Sequence, residues 1–236
     1  MRLFSLEHIA AIAVTVAGAV LVASFARHRG SRGATTLARA LAVVILAGFL
    51  VEQLTYAARG EWSLRYHLPL QLSDVVTLVA IAALWRPRRG LLTELVWFWA
   101  LTASLQAVLT PDLDDTFPDV LYFTFFATHS GAILAASLLV VGMRLTPRPW
   151  SVWRAYAITV AVAGVAGAGC LATGGNYMFL RRKPAGGSLL GPLGPWPWYI
   201  ASAAVVALAM LLVLELIARA LARHVPESRP AAASGA

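Results

Sequence analysis

The sequence predicts an all-α protein that crosses a membrane seven times. Three observations carry that prediction. Hydrophobic residues make up 59% of the 236-residue chain and charged residues only 13%, against about a quarter in an ordinary soluble domain, and the mean hydropathy is +0.73. Several apolar runs exceed the roughly 18 residues that mark a spanning helix. The basic residues gather between those runs rather than on the faces of soluble helices.

The first segment, 8–26, is opened by Glu7 and His8 with Arg2 the one positive residue before it, and has no cleavable signal pattern, so it reads as a retained helix. The glycine-punctuated basic stretch Arg27-His28-Arg29-Gly30-Ser31-Arg32-Gly33 predicts a loop before segment two, 36–58. Glu52 and Tyr56 stand i, i+4 in its last turns and share a face. Segment three, 67–85, opens with His67, Gln71 and Asp74. On a helix these sit at i, i+4 and i+7 and form one polar stripe, with Ser73 about 100° of rotation from Asp74. Pro69 is tolerated in a first helical turn.

Segment four covers 91–109, and a proline-bracketed acidic loop, 110–119, leads to segment five, 120–143. His129 lies about 15 Å from that segment's start, near the middle of a ~30 Å hydrocarbon core. Segment six, 152–173, carries the small-xxx-small pairs Ala163/Gly167 and Gly164/Ala168, a spacing that lets helices approach closely. A long loop with Asn176, Tyr177 and the run Arg181-Arg182-Lys183 precedes an aromatic belt and segment seven, 198–221. Residues 1–223 read as one membrane domain, and the Ala-, Ser- and Pro-rich residues 224–236 as a disordered cytoplasmic tail.

Lys and Arg divide thirteen to six between the two sides of such a bundle. That ratio places the N-terminus outside and the C-terminus in the cytoplasm, with Arg181-Arg182-Lys183 the one discordant run. The net charge of +8 would suggest nucleic acid in a soluble protein, but membrane orientation explains these basic residues better. A multi-pass protein of the cell membrane is expected, with lipids as partners, a homo-oligomer permitted and no nucleic acid. Cys170 is the lone cysteine and reads as a small core residue. His8 and His28 read as interfacial or loop residues. Glu94 and the Glu215/Arg219 pair read as structural.

Ionisable groups inside a membrane are costly and normally face a protein interior or a wet cavity. The expected outer ends of the segments collect Glu52, His67, Gln71, Ser73, Asp74, Gln106, Asn176 and Tyr177, with His129 beneath. A neutral imidazole at that depth is the form that acts as a general base. Ser73 is a candidate nucleophile if His129 reaches it, with Asp74 as the orienting acid. Glu52, His67, Gln71, Asn176 and Tyr177 are candidate substrate-binding groups. An alternative is a transporter or proton-coupled carrier of a small polar solute that uses Asp74, His129 and Glu52 as a relay. A third is a non-catalytic lipid-binding or scaffold protein. No HxxxH or similar spacing supports a metal site, and no cofactor is expected.

Several stretches add a resemblance. Phe4-Ser5-Leu6-Glu7-His8, Leu68-Pro69-Leu70-Gln71-Leu72-Ser73, Phe125-Phe126-Ala127-Thr128-His129-Ser130-Gly131, Asn176-Tyr177 through Lys183-Pro184, and Gly194-Pro195-Trp196-Pro197-Trp198-Tyr199 resemble the YwaF-type integral membrane proteins, over residues 4 to about 221. The animal relatives of that family are implicated as acyltransferases that remodel ether phospholipids through a cysteine and a histidine. By motif the resemblance puts the histidine on His129 and the cysteine of a Leu-Pro-Leu-x-Leu-Cys pattern on Ser73. Many members have histidine where this chain has Gln71. A serine needs stronger activation than a thiol, which leaves three readings: serine chemistry, a position that is not the nucleophile, or a lost activity.

Overall fold

The computed structural model describes residues 3–184 and 188–223, and the expected tail, 224–236, with His224, lies outside them. The described residues form seven helices and no strand: α1 (Leu6–His28), α2 (Gly30–Ala58), α3 (Leu72–Trp85), α4 (Leu91–Leu109), α5 (Val120–Gly142), α6 (Ser151–Thr173) and α7 (Trp198–Arg223). Six are long and apolar enough to cross a bilayer. The exception is α3, whose 14 residues extend only about 21 Å.

Local chemistry accounts for the ends. Ser5 caps α1 by accepting the His8 amide, and Asp119 caps α5 by accepting the Leu121 amide. The expected basic loop between segments one and two has contracted to Arg29. Residues 30–36 are helical, because a single glycine at φ +67°, Gly30, makes the turn and the residues after it all tolerate a helix. Segment three begins later than the periodicity implies. Leu68 precedes a proline and is biased away from helix, Gln71 is extended, and the helix starts only at Leu72. Asp74 then accepts the Gln71 amide (3.2 Å), the carboxylate half of a capping box. His67 is therefore in the connecting loop, and the three-residue helical stripe does not form.

The interior of the bundle is α4 and α5, each with more than half of its central residues buried, while α1, α6 and α7 mostly face outward. Outward aliphatics such as Val14, Leu21 and Leu171 give those helices the greasy exterior that hydrocarbon requires. α2 packs against α3 and α5, and α3 also packs against α4 and α5. The tightest approach is between α2 and α5. A methyl group built on Gly131 would stand 2.6 Å from Ile45 Cγ1, and one on Gly48 would stand 3.0 Å from Ala127 Cβ. The small-residue pairs of α6 make no such approach. Gly164 has open space around it and Gly167 meets only Leu180, so the expected close contact falls on α2 and α5 instead.

Two π-helical stretches, Ala100–Ser104 and Ser137–Gly142, widen α4 and α5. At one end of the bundle the buried Glu94 carboxylate receives Arg148 (2.6 Å) and Arg154 (3.0 Å), joining α4 to the α5–α6 turn and to α6. Glu215 accepts the Trp150 amide, the Ser151 hydroxyl and Arg219, which docks α7 on the start of α6. Both acids are structural, as expected.

Candidate functional site

The opposite end holds the polar residues. Gly48 faces Ala127 and Thr128 of α5, and Glu52 stands one turn further along the same face of α2. Glu52 and Asp74 lie close enough to feel each other's charge, and no arginine or lysine among the described residues pairs with either. Glu52 has no hydrogen-bond partner among the described residues, and Asp74 has only the Gln71 amide. Two half-buried carboxylates thus share the α2–α3 seam without a counter-ion.

His67 approaches the same seam from the loop. Its ring lies 4.2 Å from that of Tyr56 and 6.4 Å from that of Trp62. Its Nδ1 accepts the Ser63 amide (3.1 Å), which fixes the ring and leaves Nε2 facing away from that bond. Ser73, on the first turn of α3, has no hydrogen-bond partner for its hydroxyl among the described residues; its carbonyl accepts Thr77 Oγ1. The back-bond from a helical serine to the preceding turn is not made here.

His129 is held rigidly on α5. Its ring stacks on Phe125 at 4.2 Å, and Nδ1 lies 2.8 Å from the Phe125 carbonyl and 3.2 Å from Thr128 Oγ1. A carbonyl oxygen only accepts, so Nδ1 carries a proton and Nε2 is left for a partner outside the helix. No described residue occupies it. Because α3 lies against α5, the hydroxyl of Ser73 and the imidazole of His129 belong to adjacent helices, though no direct hydrogen bond joins them.

The remaining candidates are engaged in holding the site together. Gln71 Oε1 accepts the Met178 amide (2.7 Å). Tyr177 is buried and donates its hydroxyl to the Leu64 carbonyl (2.6 Å) while accepting the Leu68 amide (3.2 Å). Asn176 accepts the amides of Arg181 and Arg182 and donates to the Arg182 carbonyl, closing its own loop. These contacts pin the 174–184 segment over the loop that delivers His67 and α3.

Two further buried polar residues matter here. His8, expected at an interface, is fully buried: it accepts the Phe4 amide at Nδ1 and meets the Val108 carbonyl at Nε2 (2.8 Å), tying α1 to α4. Ser104, in the π-helical stretch of α4, is buried with no partner for its hydroxyl among the described residues. Nothing in residue spacing signals either one, since both depend on contacts with distant segments. Among the described residues no group of three or more His, Cys, Asp or Glu converges to hold a metal ion.

Helices with greasy outer faces and unneutralised acids, imidazoles and a hydroxyl gathered at one end define a polytopic α-helical membrane protein. The family model described as the TMEM164 family matches residues 3–215, and the chain belongs to that family. No curated protein and no solved structure matches it.

Proposed function

We propose that this protein carries out lipid-directed acyl chemistry, transfer or hydrolysis, with His129 as general base and Ser73 as acyl acceptor. The observation that carries the reading is the state of His129: Nδ1 anchored on the Phe125 carbonyl, Nε2 unpartnered, on a helix packed against the one that bears the free Ser73 hydroxyl. The resemblance of the 68–73 and 125–131 stretches to an acyltransferase family points the same way.

In this mechanism Nε2 removes the Ser73 proton as Oγ attacks a lipid ester carbonyl. The C–O bond to the glycerol oxygen breaks, and the imidazolium returns the proton to that leaving oxygen. A lysolipid hydroxyl in transfer, or water in hydrolysis, then attacks the acyl-serine carbonyl as His129 Nε2 takes its proton; the acyl C–Oγ bond breaks and the imidazolium returns the proton to Ser73 Oγ. Asp74 adds negative potential that favours the imidazolium formed in between.

A serine-directed fluorophosphonate tests this. The purified, folded protein is expected to label at Ser73, and Ser73→Ala and His129→Ala are each expected to abolish labelling. A folded protein that does not label would sink the proposal.

The unpaired Glu52 and Asp74 favour a second reading, a proton-coupled carrier, because intramembrane acids without counter-ions suit a proton relay. That reading expects proteoliposome uptake that is lost in Asp74→Asn and retained in Ser73→Ala. The reverse pattern removes it.

A further inference from the structure

A cavity of about 830 Å³ opens at the end of the bundle opposite the candidate site, between the last turn of α3 and the first turn of α4. Its chemistry is divided. One part is aliphatic and aromatic: Leu78, Ile81 and Trp85 from α3, and Leu91 from α4. Leu78, Trp85 and Leu91 are exposed to the bundle's exterior. The other part is cationic: Arg86, Arg88 and Arg89 from the turn between the helices.

No acid lines this cavity, and none of the three guanidinium groups pairs with a carboxylate among the described residues. The nearest acid in sequence, Glu94, is already saturated by Arg148 and Arg154. Arg89 donates Nε to the Thr146 carbonyl (2.9 Å), which stiffens one wall. Arg86 and Arg88 make no side-chain hydrogen bond among the described residues, and both are exposed.

We propose that this cavity binds one anionic phospholipid, with its phosphate against Arg86 and Arg88 and an acyl chain along Leu78, Ile81 and Trp85. Charge complementarity selects an anion, because uncompensated guanidiniums in a confined site favour one and offer bidentate geometry to a phosphate. The apolar wall selects a lipid over a soluble phosphate. Leu78 lies seven residues, about 10 Å, from Trp85 along α3, so the greasy lining continues down the helix away from the charged rim. That matches the dimensions of a headgroup with the first part of its chain. The thirteen-to-six distribution of basic residues puts this rim at the cytoplasmic leaflet, where anionic lipids concentrate. The charged rim lies 13 residues, about 20 Å, along α3 from Ser73, and the site stands or falls independently of the acyl chemistry.

Native mass spectrometry of the full chain, released from micelles doped with phosphatidylglycerol and phosphatidylcholine of identical chains, tests it. The expected result is selective retention of phosphatidylglycerol, reduced about fivefold for each guanidinium lost in Arg86→Gln and Arg88→Gln. Retention should be unchanged in the charge-matched control Arg32→Gln/Arg39→Gln, whose arginines are exposed on α2. Phosphatidylglycerol with brominated chains should quench a part of the tryptophan fluorescence that Trp85→Phe lacks. Equal retention of the two lipids, equal loss in the control, quenching unchanged by Trp85→Phe, or displacement by millimolar inorganic phosphate would each overturn the proposal.

Discussion

Tyr177 illustrates how single side chains hold the polar end of the bundle together. Its hydroxyl satisfies a carbonyl and an amide in the 59–71 loop, and its own amide meets Cys170 Sγ at 3.1 Å. Tyr177→Phe keeps the ring but leaves the Leu64 carbonyl and Leu68 amide without this partner, a loss of about 1–3 kcal/mol. The thermal midpoint in detergent should fall, and the buried Cys170 should become reactive to maleimide as the 174–184 segment lifts. An unchanged midpoint with Cys170 still inert would show that the hydroxyl is dispensable. The sequence singles out Tyr177 as a polar residue near the candidate site, but not the partners of its hydroxyl, which lie more than 100 residues away. The same limit applies to His8: its partner at Val108 is a backbone carbonyl, which no side-chain pattern encodes.

At the level of helices, packing depends on where small residues face rather than on how they are spaced. Gly164 and Ala168 have the spacing of a contact motif yet point outward, whereas Gly131, spaced in the same way from Ala127 and Ala135, faces inward and takes the closest glycine contact between two helices. Gly131→Ala should destabilise by roughly 1–3 kcal/mol, since Ile45 must shift to admit the methyl group. Combined with Ile45→Ala, which clears the space, the loss should be less than the sum of the two single losses; strict additivity in unfolding measurements would refute the contact. Helix ends were legible where capping chemistry is local, as at Val120, directly after its cap Asp119. The start of α3 was not, because the apolar run masks a capping pair, Gln71 and Asp74, that places the first turn five residues after His67. Asp119 gives an end its pH dependence. The Leu121 amide and then Arg59 hold its carboxyl below the ordinary carboxylate range. A depressed folded-state value means that the contact stabilises fully above the unfolded value of about 3.9 and is lost as pH falls through the folded one. Protection against hydrogen exchange across residues 110–119, taken relative to the intrinsic rate at each pH, should therefore fall on acidification toward pH 3 in the natural chain. Asp119→Asn, which keeps a capping side chain without the charge, should remove that response; an identical acid response in the variant would place its origin elsewhere.

For the molecule as a whole, the two ends differ in kind. One end has acids satisfied by arginines, the Glu94 and Glu215 clusters, together with a cavity rimmed by guanidiniums that pair with no acid among the described residues. The other has acids without counter-ions and a loop tied to α2 by Arg59. The seven apolar runs were readable because bilayer thickness dictates their length, whereas α3's shortness was not, because its run continues through loop residues that are apolar without being helical. Orientation follows from the same asymmetry. The thirteen-to-six division of basic residues along the sequence predicts that the 110–119 loop faces outward and the α1–α2 turn faces the cytoplasm. The single native cysteine is buried, so it offers almost no background for labelling introduced thiols. Asp114 and Arg32 are exposed at opposite ends, which makes them the informative pair. In intact cells a membrane-impermeant maleimide should label Asp114→Cys and leave Arg32→Cys untouched until the membrane is opened. Labelling of Arg32→Cys in intact cells, with Asp114→Cys protected, would invert the bundle and place the guanidinium-rimmed cavity in the outer leaflet, away from the anionic lipids that its charge is suited to hold.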